Sequence, residues 1–446
     1  MLPYEALAYA LPENILMLKY SGRFEDELRL IDEYLGRPIP DALRRALLCE
    51  KFLAQTLPGE YTLSFDEALA ELRAVRPDFK AETLRRMMDD GRAEWRMVNC
   101  ERKFHEDFPA SARINTPEAR KPDTDGGGEN ETDRTIREMK ENGSYAVRLT
   151  VEHKLAVKDG AVEPGTPIRA WLPLPIPTDT QSEIEISADG VISPPDGAQR
   201  IAYFDMPYRP GLEFSVKYSL TRRQIWHDLD PAKAVIGFDG SVTEDDLSEQ
   251  QPHIRFTPYL RALAGEIRGN EANPLITAKK FYDWILENCV YSYMRSYSLI
   301  ESIAEFAALN GRGDCGVQAL LFIALCRISG IPAGWESGHT CKYGRISSHD
   351  WARFYCAPWG WLFCDPTNAD GGKMTREFYF GHADPRRIAC NRRFQTDFSP
   401  ACRFDRLDPY DSQSGEAETD ARKLTHKDVT SKRTLISTEI IRIPAN

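Results

Sequence analysis

At 446 residues the chain is too long for one ordinary core, and its length suggests about two to four domains. With 42% hydrophobic and 28% charged residues it has the composition of a soluble globular protein. A net charge of −11 leaves no basic footprint for a phosphate backbone, which argues against nucleic acid as a partner.

The first twenty residues hold an apolar patch but also Glu5 and Glu13, with no basic leader, so they read as folded chain and not as a secretion signal. No stretch approaches the ~20 apolar residues of a membrane span, so no membrane partner is expected. A cytoplasmic location follows from these two readings, and the ten cysteines are then expected as reduced thiols. No CxxC pair and no Cys/His ligand set is present, so neither a metal nor a cofactor is expected.

Residues 1–116 read as a helical domain of unknown role. Phe24 to Leu35 and Asp41 to Leu57 carry apolar residues at helical spacing, the second through Leu43, Ala46, Leu47 and Leu53. Ser64 with Glu67 matches a capping box ahead of Ala68, Leu69 and Leu72. Phe79 to Phe108 reads as one long or two broken helices, interrupted at Gly91. Residues 117–143, rich in charge and glycine, lack apolar surface to bury and read as a linker.

From residue 144 the period becomes two. Ile168–Leu174, Glu183–Ser187, Ile201–Phe204 and Glu213–Leu220 are further β-like runs separated by Gly and Pro, so 144–225 reads as an antiparallel β-sandwich. Residues 226–402 form the third unit. Asn273 caps a helix with Pro274 at its first position and Ala278, Phe281, Tyr282 and Ile285 on its buried stripe. Residues 403–446 read as a polar tail with a closing strand from Thr434 to Ile443.

Chemistry concentrates in the third unit. In GRGDCGVQALLFIALCRISGIPAG, residues 311–334, Asp314 is an N-cap and Val317 to Ile328 a helix apolar nearly all round. Gly330 and Pro332 end it. Cys315 thus sits in the first turn, where backbone N–H groups and the dipole favour a thiolate and offer an oxyanion site. Asp314 works against the thiolate, so a histidine partner is needed. A small buried residue is the other reading of Cys315 on position alone. Cys326 lies about 16 Å further along the helix and reads as core.

In SSHDWARFYCAPWGWLFCDPTNAD, residues 347–370, two aromatic-rich strands flank a turn at Pro358-Trp359-Gly360. His349 opens the first strand and Asp365 closes the second, so the hairpin draws them near each other. An aspartate beside a histidine fixes the tautomer and stabilises the charged ring. His339 is a rival base in an expected loop. Cys341, Cys356, Cys364, Cys390 and Cys402 read as packing residues. Trp335, Trp359 and Trp361 are either cleft or core residues, and Trp226-His227-Asp228 reads as interdomain connection.

Together these pieces resemble the transglutaminase-like superfamily. They are Gly313-Asp314-Cys315, Cys326-Arg327 with Gly330-Ile331-Pro332-Ala333, His349-Asp350-Trp351 with Tyr355, and Gly360-Trp361 with Asp365-Pro366-Thr367. The Pro274–Cys289 helix and the strand Arg169 to Pro175 also look like bacterial members. The resemblance covers roughly residues 145–390 and leaves the helical domain unmatched.

What it implies is a multidomain chain: α-helical N-terminal domain, antiparallel β-sandwich, then an α+β papain-like core. By motif, Cys315 is the nucleophile, His349 the base and then acid, and Asp365 the orienting carboxylate. The Cys315 N–H is one oxyanion donor, with Tyr291 as a weak candidate for a second. The activity implied is cleavage of an amide bond in a peptide or protein substrate through a thioester. A cross-linking acyltransferase shares the same triad, and a non-catalytic binding scaffold is the third reading.

Overall fold

In the computed structural model, residues 3–120, 131–371, 373–407 and 410–441 are described. The N-terminal region packs α1 (Glu13–Ser21), α2 (Phe24–Leu35), α3 (Asp41–Glu60), α4 (Phe65–Val75) and α5 (Ala81–Asp89) around small apolar cores. The Ser64–Glu67 capping box forms with both of its reciprocal bonds. After α5 the expected helix does not continue. β1 (Trp95–Val98) and β2 (Glu101–Phe104) form a hairpin instead, followed by α6 (Phe108–Asn115). Asn99 and Cys100 turn it at positive φ, the backbone of a tight two-residue loop, and that turn ends any helix there.

The linker reading of 117–143 holds for no stretch that is described as extended chain. Pro117–Ala119 forms a short 3-10 turn that buries Ala119, residues 121–130 lie outside the described residues, and α7 (Glu131–Asn142) follows. One face of α7 buries Ile136 and Met139 against Tyr145, enough apolar contact to fix a helix that its composition alone does not announce.

Two sheets then stack. One has β18 (Val429–Ile441), β3 (Ser144–Val157), β8 (Glu213–Ile225) and β5 (Gln181–Ala188) in that order. The other runs β17 (Lys423–Leu424), β16 (Glu416–Thr419), β4 (Pro167–Leu174), β7 (Arg200–Pro207) and β6 (Val191–Ile192). All pairings are antiparallel. The boundaries 144–225 therefore do not enclose this sandwich. Three of its strands come from the segment expected as a polar tail, and the closing strand begins at Val429, not Thr434. Its alternation is diluted by Ser, Lys and Arg on the exposed face, which hid it.

The third region gathers α8 (Pro258–Arg268), α9 (Pro274–Asn288), α10 (Ile303–Asn310) and α11 (Cys315–Ile328) on one face of a sheet. A short parallel pair, β9 (Val290–Tyr291) and β10 (Arg312–Gly313), leads into α11. The sheet has the order β14 (Phe380–Gly381), β13 (Gly360–Cys364), β12 (Arg345–Cys356), β11 (Ala333–Lys342), β15 (Arg387–Asn391), with α12 (Lys373–Phe378) between β13 and β14 in sequence. Its two faces serve different cores. Ala352, Phe354 and Leu362 face α11, while Trp351, Phe363 and Ile388 face the sandwich. No helix among the described residues is long and apolar enough to cross a membrane.

Candidate active site

The site lies where the N-terminal end of α11 meets the middle of β12. Asp314 caps the helix by accepting from the Val317 N–H at 3.1 Å, and Cys315 is the first helical residue. A side chain on Gly316 would come within 2.2 Å of Tyr297 Oη and 2.7 Å of Asp350 Oδ2. Only glycine lets Tyr297 and Asp350 close over the helix tip.

The Cys315 thiol donates to Asp350 Oδ2 at 3.4 Å. Burial, then the Asp350 and Asp314 carboxylates, push it well above the usual thiol range. The expected depression at a helix N-terminus is therefore outweighed, and the resting sulfur is a thiol. Burial raises Asp314 to about 6 although the Tyr297 hydroxyl and backbone N–H groups donate to it.

His349 and Asp365 meet directly. His349 Nε2 lies 2.7 Å from Asp365 Oδ2, and the pair is almost wholly buried. An ionised carboxylate only accepts, so Nε2 carries the proton and Nδ1 remains free to act as base. Burial opposes ionisation of Asp365, but His349 and Arg387 outweigh it and hold the carboxyl far below the usual range. Burial lowers His349 despite Asp365, so the ring is neutral near pH 7.

The Asp-Pro-Thr turn and a buried arginine hold Asp365 in place. Its Oδ1 accepts from the Thr367 N–H at 3.0 Å and hydroxyl at 2.8 Å. Arg387 pairs with Oδ2 at 2.8 Å, and the Asn368 amide donates to it at 2.9 Å. Arg387 also bonds Asp384 at 3.2 Å and lies over the rings of Trp351, Phe363 and Tyr379. Asp384 in turn holds Lys342 at 3.1 Å. Gly338 permits this arrangement, because a Cβ there would sit 2.1 Å from the Ile388 carbonyl and keep β15 away.

Strand alternation explains how the two halves relate. Asp350 faces α11 and touches the thiol, while His349, one residue earlier, turns toward Asp365 and Trp351. Among the described residues the thiol's hydrogen bond goes to Asp350 and not to the imidazole. Gln413 crosses above both, donating to the His349 carbonyl at 3.2 Å and to Asp350 Oδ1 at 2.5 Å.

Tyr291 pairs with Gly313 across β9 and β10. It lines the cavity of about 360 Å³ that holds Cys315, and also the neighbouring one of about 560 Å³ beside Gln318, Pro366 and Thr367. Burial, then Cys315 and Asp314 beside it, raise its hydroxyl, which stays a donor. Trp335 lines the Cys315 cavity, whereas Trp359 and Trp361 line a different one with Arg222 and Arg353. Trp226 stacks on His382 at 4.4 Å in a further cavity.

His339 is not in a loop. It lies in β11, buried beside His153 and bonded to the Gln413 carbonyl at 2.9 Å, with burial pushing it down to about 3. It is core. Sequence reasoning missed Arg387, Asp384, Asn368, Tyr297 and Gln413. Asn368 was within reach of the Asp-Pro-Thr motif. The others come from distant chain segments and carry no local signal. Among the described residues no cluster of His, Cys, Asp or Glu is arranged to hold a metal.

Residues 261–366, from α8 to just past Asp365, match the family model described as the transglutaminase-like superfamily. No curated protein matches the chain. A solved structure of a candidate cysteine protease from Cytophaga hutchinsonii is 16% identical, with a TM-score of 0.42, covering 66% of this chain and 91% of that one. The periplasmic domain of TgpA from Pseudomonas aeruginosa is 16% identical with a TM-score of 0.28, covering 55% of this chain and 94% of that one. A candidate protease from Parabacteroides distasonis is 10% identical with a TM-score of 0.23, covering 54% and 48%. The family match carries the identification of the core as transglutaminase-like, and these distant likenesses add nothing to it.

Proposed function

We propose that this chain, whose residues 261–366 are a transglutaminase-like core, is a cysteine-dependent hydrolase of an amide bond in a peptide or protein. The observation that carries the reading is the buried His349–Asp365 pair at 2.7 Å, one residue along the strand from the side chain that touches the Cys315 thiol. Cys315 is the nucleophile, His349 the base, and Asp365 the group that keeps the imidazole in its tautomer and stabilises its charge.

With thiol and imidazole both neutral at rest, activation is a proton transfer made during attack. The thiol turns from Asp350 to His349 Nδ1 as a carbonyl enters, and sulfur adds to the carbon. The Cys315 N–H and the Tyr291 hydroxyl stabilise the oxyanion. Collapse expels the amine, which takes the proton from His349, and leaves a thioester. Water, deprotonated by His349, then releases the acid.

The acyltransferase reading differs only in the second step, where an amine takes the acyl group in place of water. Fluorogenic peptide amides assayed with and without added primary amine separate the two. Hydrolysis predicts Cys315-dependent release of the acid in both cases. Exclusive formation of the substituted amide would replace hydrolase by acyltransferase, and turnover undiminished in Cys315→Ala would end both readings.

A further inference from the structure

The N-terminal helices touch the site at several buried points. The Asn115 side chain donates to the Tyr291 carbonyl at 3.0 Å, and the Ser111 hydroxyl accepts from the Tyr293 N–H at 2.9 Å. One acceptor on β9, the Tyr291 carbonyl, and one donor at its exit, the Tyr293 N–H, are therefore held by side chains of α6. Glu94, 2% exposed, bonds the Tyr61 hydroxyl and pairs with Arg295 at 2.7 Å and Arg312 at 3.2 Å. Arg312 lies in β10, three residues before Cys315, and Arg295 lies two before Tyr297, which covers the helix tip. One carboxylate thus ties both approaches to the nucleophile. The core also sends Leu299 into the apolar cluster of Phe24, Leu53 and Leu57. Beyond Tyr291, Ile114 and Asn115 form one wall of the 560 Å³ cavity, with Gln318 and the Pro366-Thr367 turn on the other.

Resting on the reading of Cys315 as an acyl-transfer nucleophile, we infer that the N-terminal unit works in the reaction. Asn115 and Ser111 are positioning residues that hold β9 so that the Tyr291 hydroxyl faces the developing oxyanion, and α6 supplies a wall of the cleft that receives the substrate. A loop of this length next to a nucleophile has no sheet of its own to fix it, since β9 pairs over two residues only. The side-chain bonds from α6 replace the missing ladder. Oxyanion stabilisation depends on donors held in advance of the reaction, so loosening β9 weakens acyl transfer while the thiol itself is untouched.

Two small reagents separate that role from a merely structural one, using the full chain. With p-nitrophenyl acetate, Cys315 sulfur forms a bond to the acetyl carbon through a tetrahedral oxyanion, its proton passes to His349, and p-nitrophenolate leaves. Iodoacetamide alkylates the same sulfur by displacement of iodide, with no oxyanion. Tyr291→Phe is expected to slow acylation about 100-fold and Asn115→Ala about tenfold, with alkylation of Cys315 within about twofold of wild type in both. The double variant Asn115→Ala/Tyr291→Phe is expected to acylate no more slowly than Tyr291→Phe alone. Ser111→Ala gives the same pattern, and if its buried site prevents folding, the part-exposed Asn115 decides. Unchanged acylation in Asn115→Ala, acylation and alkylation falling together, or additive losses in the double variant would each overturn the inference. Wild type acylating no faster than Cys315→Ala would overturn the underlying reading, and this inference with it, before any positioning variant is made.

Discussion

The two halves of the site are electrically opposite. At the strand end the buried carboxylates sit beside cations: Asp365 has Arg387, and Asp384 has Arg387 and Lys342. At the helix tip Asp314 and Asp350 crowd the thiol, and burial and their charge keep the sulfur protonated. The strand end thus holds a buried charge and the helix tip resists one. A helix N-terminus alone does not make a reactive cysteine, because a dipole worth roughly 0.3–1 kcal/mol cannot offset two nearby carboxylates in a buried place.

Breaking either half tests that contrast most severely. Cys315→Ala and His349→Ala are each expected to lower amide turnover by about 10³-fold or more, and the double variant little further, because the two act as one unit. Turnover assays of the purified variants check this, and an additive double loss would separate the two residues.

Next in size is Arg387→Met, which leaves Asp365 and Asp384 buried and short of a cation. It is expected to cost about 3–5 kcal/mol of stability, measured by urea denaturation, with activity lost at temperatures where the chain stays folded. A variant as stable as wild type would show that the strand end does not need its charge balance.

Glu94 gives a pH test away from the thiol. Burial disfavours its charge, but Arg295 and Arg312 outweigh that and hold it at about 2, below its ordinary 4.5. The unfolded chain therefore binds the proton first as pH falls. The stability this group contributes is fully present above about pH 4.5 and is lost as pH falls toward 2. Thermal melts of wild type and Glu94→Gln across that window are expected to converge as the pH drops, and a constant gap would refute the linkage.

The smallest effect sharpens the helix-tip side of the comparison. Asp350→Asn removes the carboxylate in contact with the sulfur, so the Cys315 thiol should titrate lower. Its alkylation by iodoacetamide at pH 7 is expected to rise severalfold, about one pKa unit or less of change. Mass spectrometry with Cys49 and Cys100 as internal references reads it.

Much of the core was legible because its signals are local. Asp314 caps, Gly330 and Pro332 stop the helix, and the Pro358-Trp359-Gly360 turn places His349 and Asp365 at adjoining ends of a hairpin. The hairpin at Trp95–Phe104 was missed because helix and strand periods are hard to tell apart over four residues. The C-terminal strands of the sandwich and the residues Arg387 and Gln413 were missed for another reason. Their roles are set by partners far away in sequence, Ile168–Trp171 for β16 and Asp365 and His349 for the two side chains, and a single chain read in order does not display such pairings.

The central claim is that Cys315 gives its proton to a neutral His349 held by Asp365. The most direct measurement is the pH dependence of Cys315 acylation by p-nitrophenyl acetate in wild type and His349→Ala. The wild-type rate should rise through a midpoint below the ordinary histidine value of 6.5, since burial lowers His349, and then level off. In His349→Ala that rise should vanish, leaving only a slow increase toward the raised thiol range above 9. Superimposable profiles for the two proteins would contradict the account.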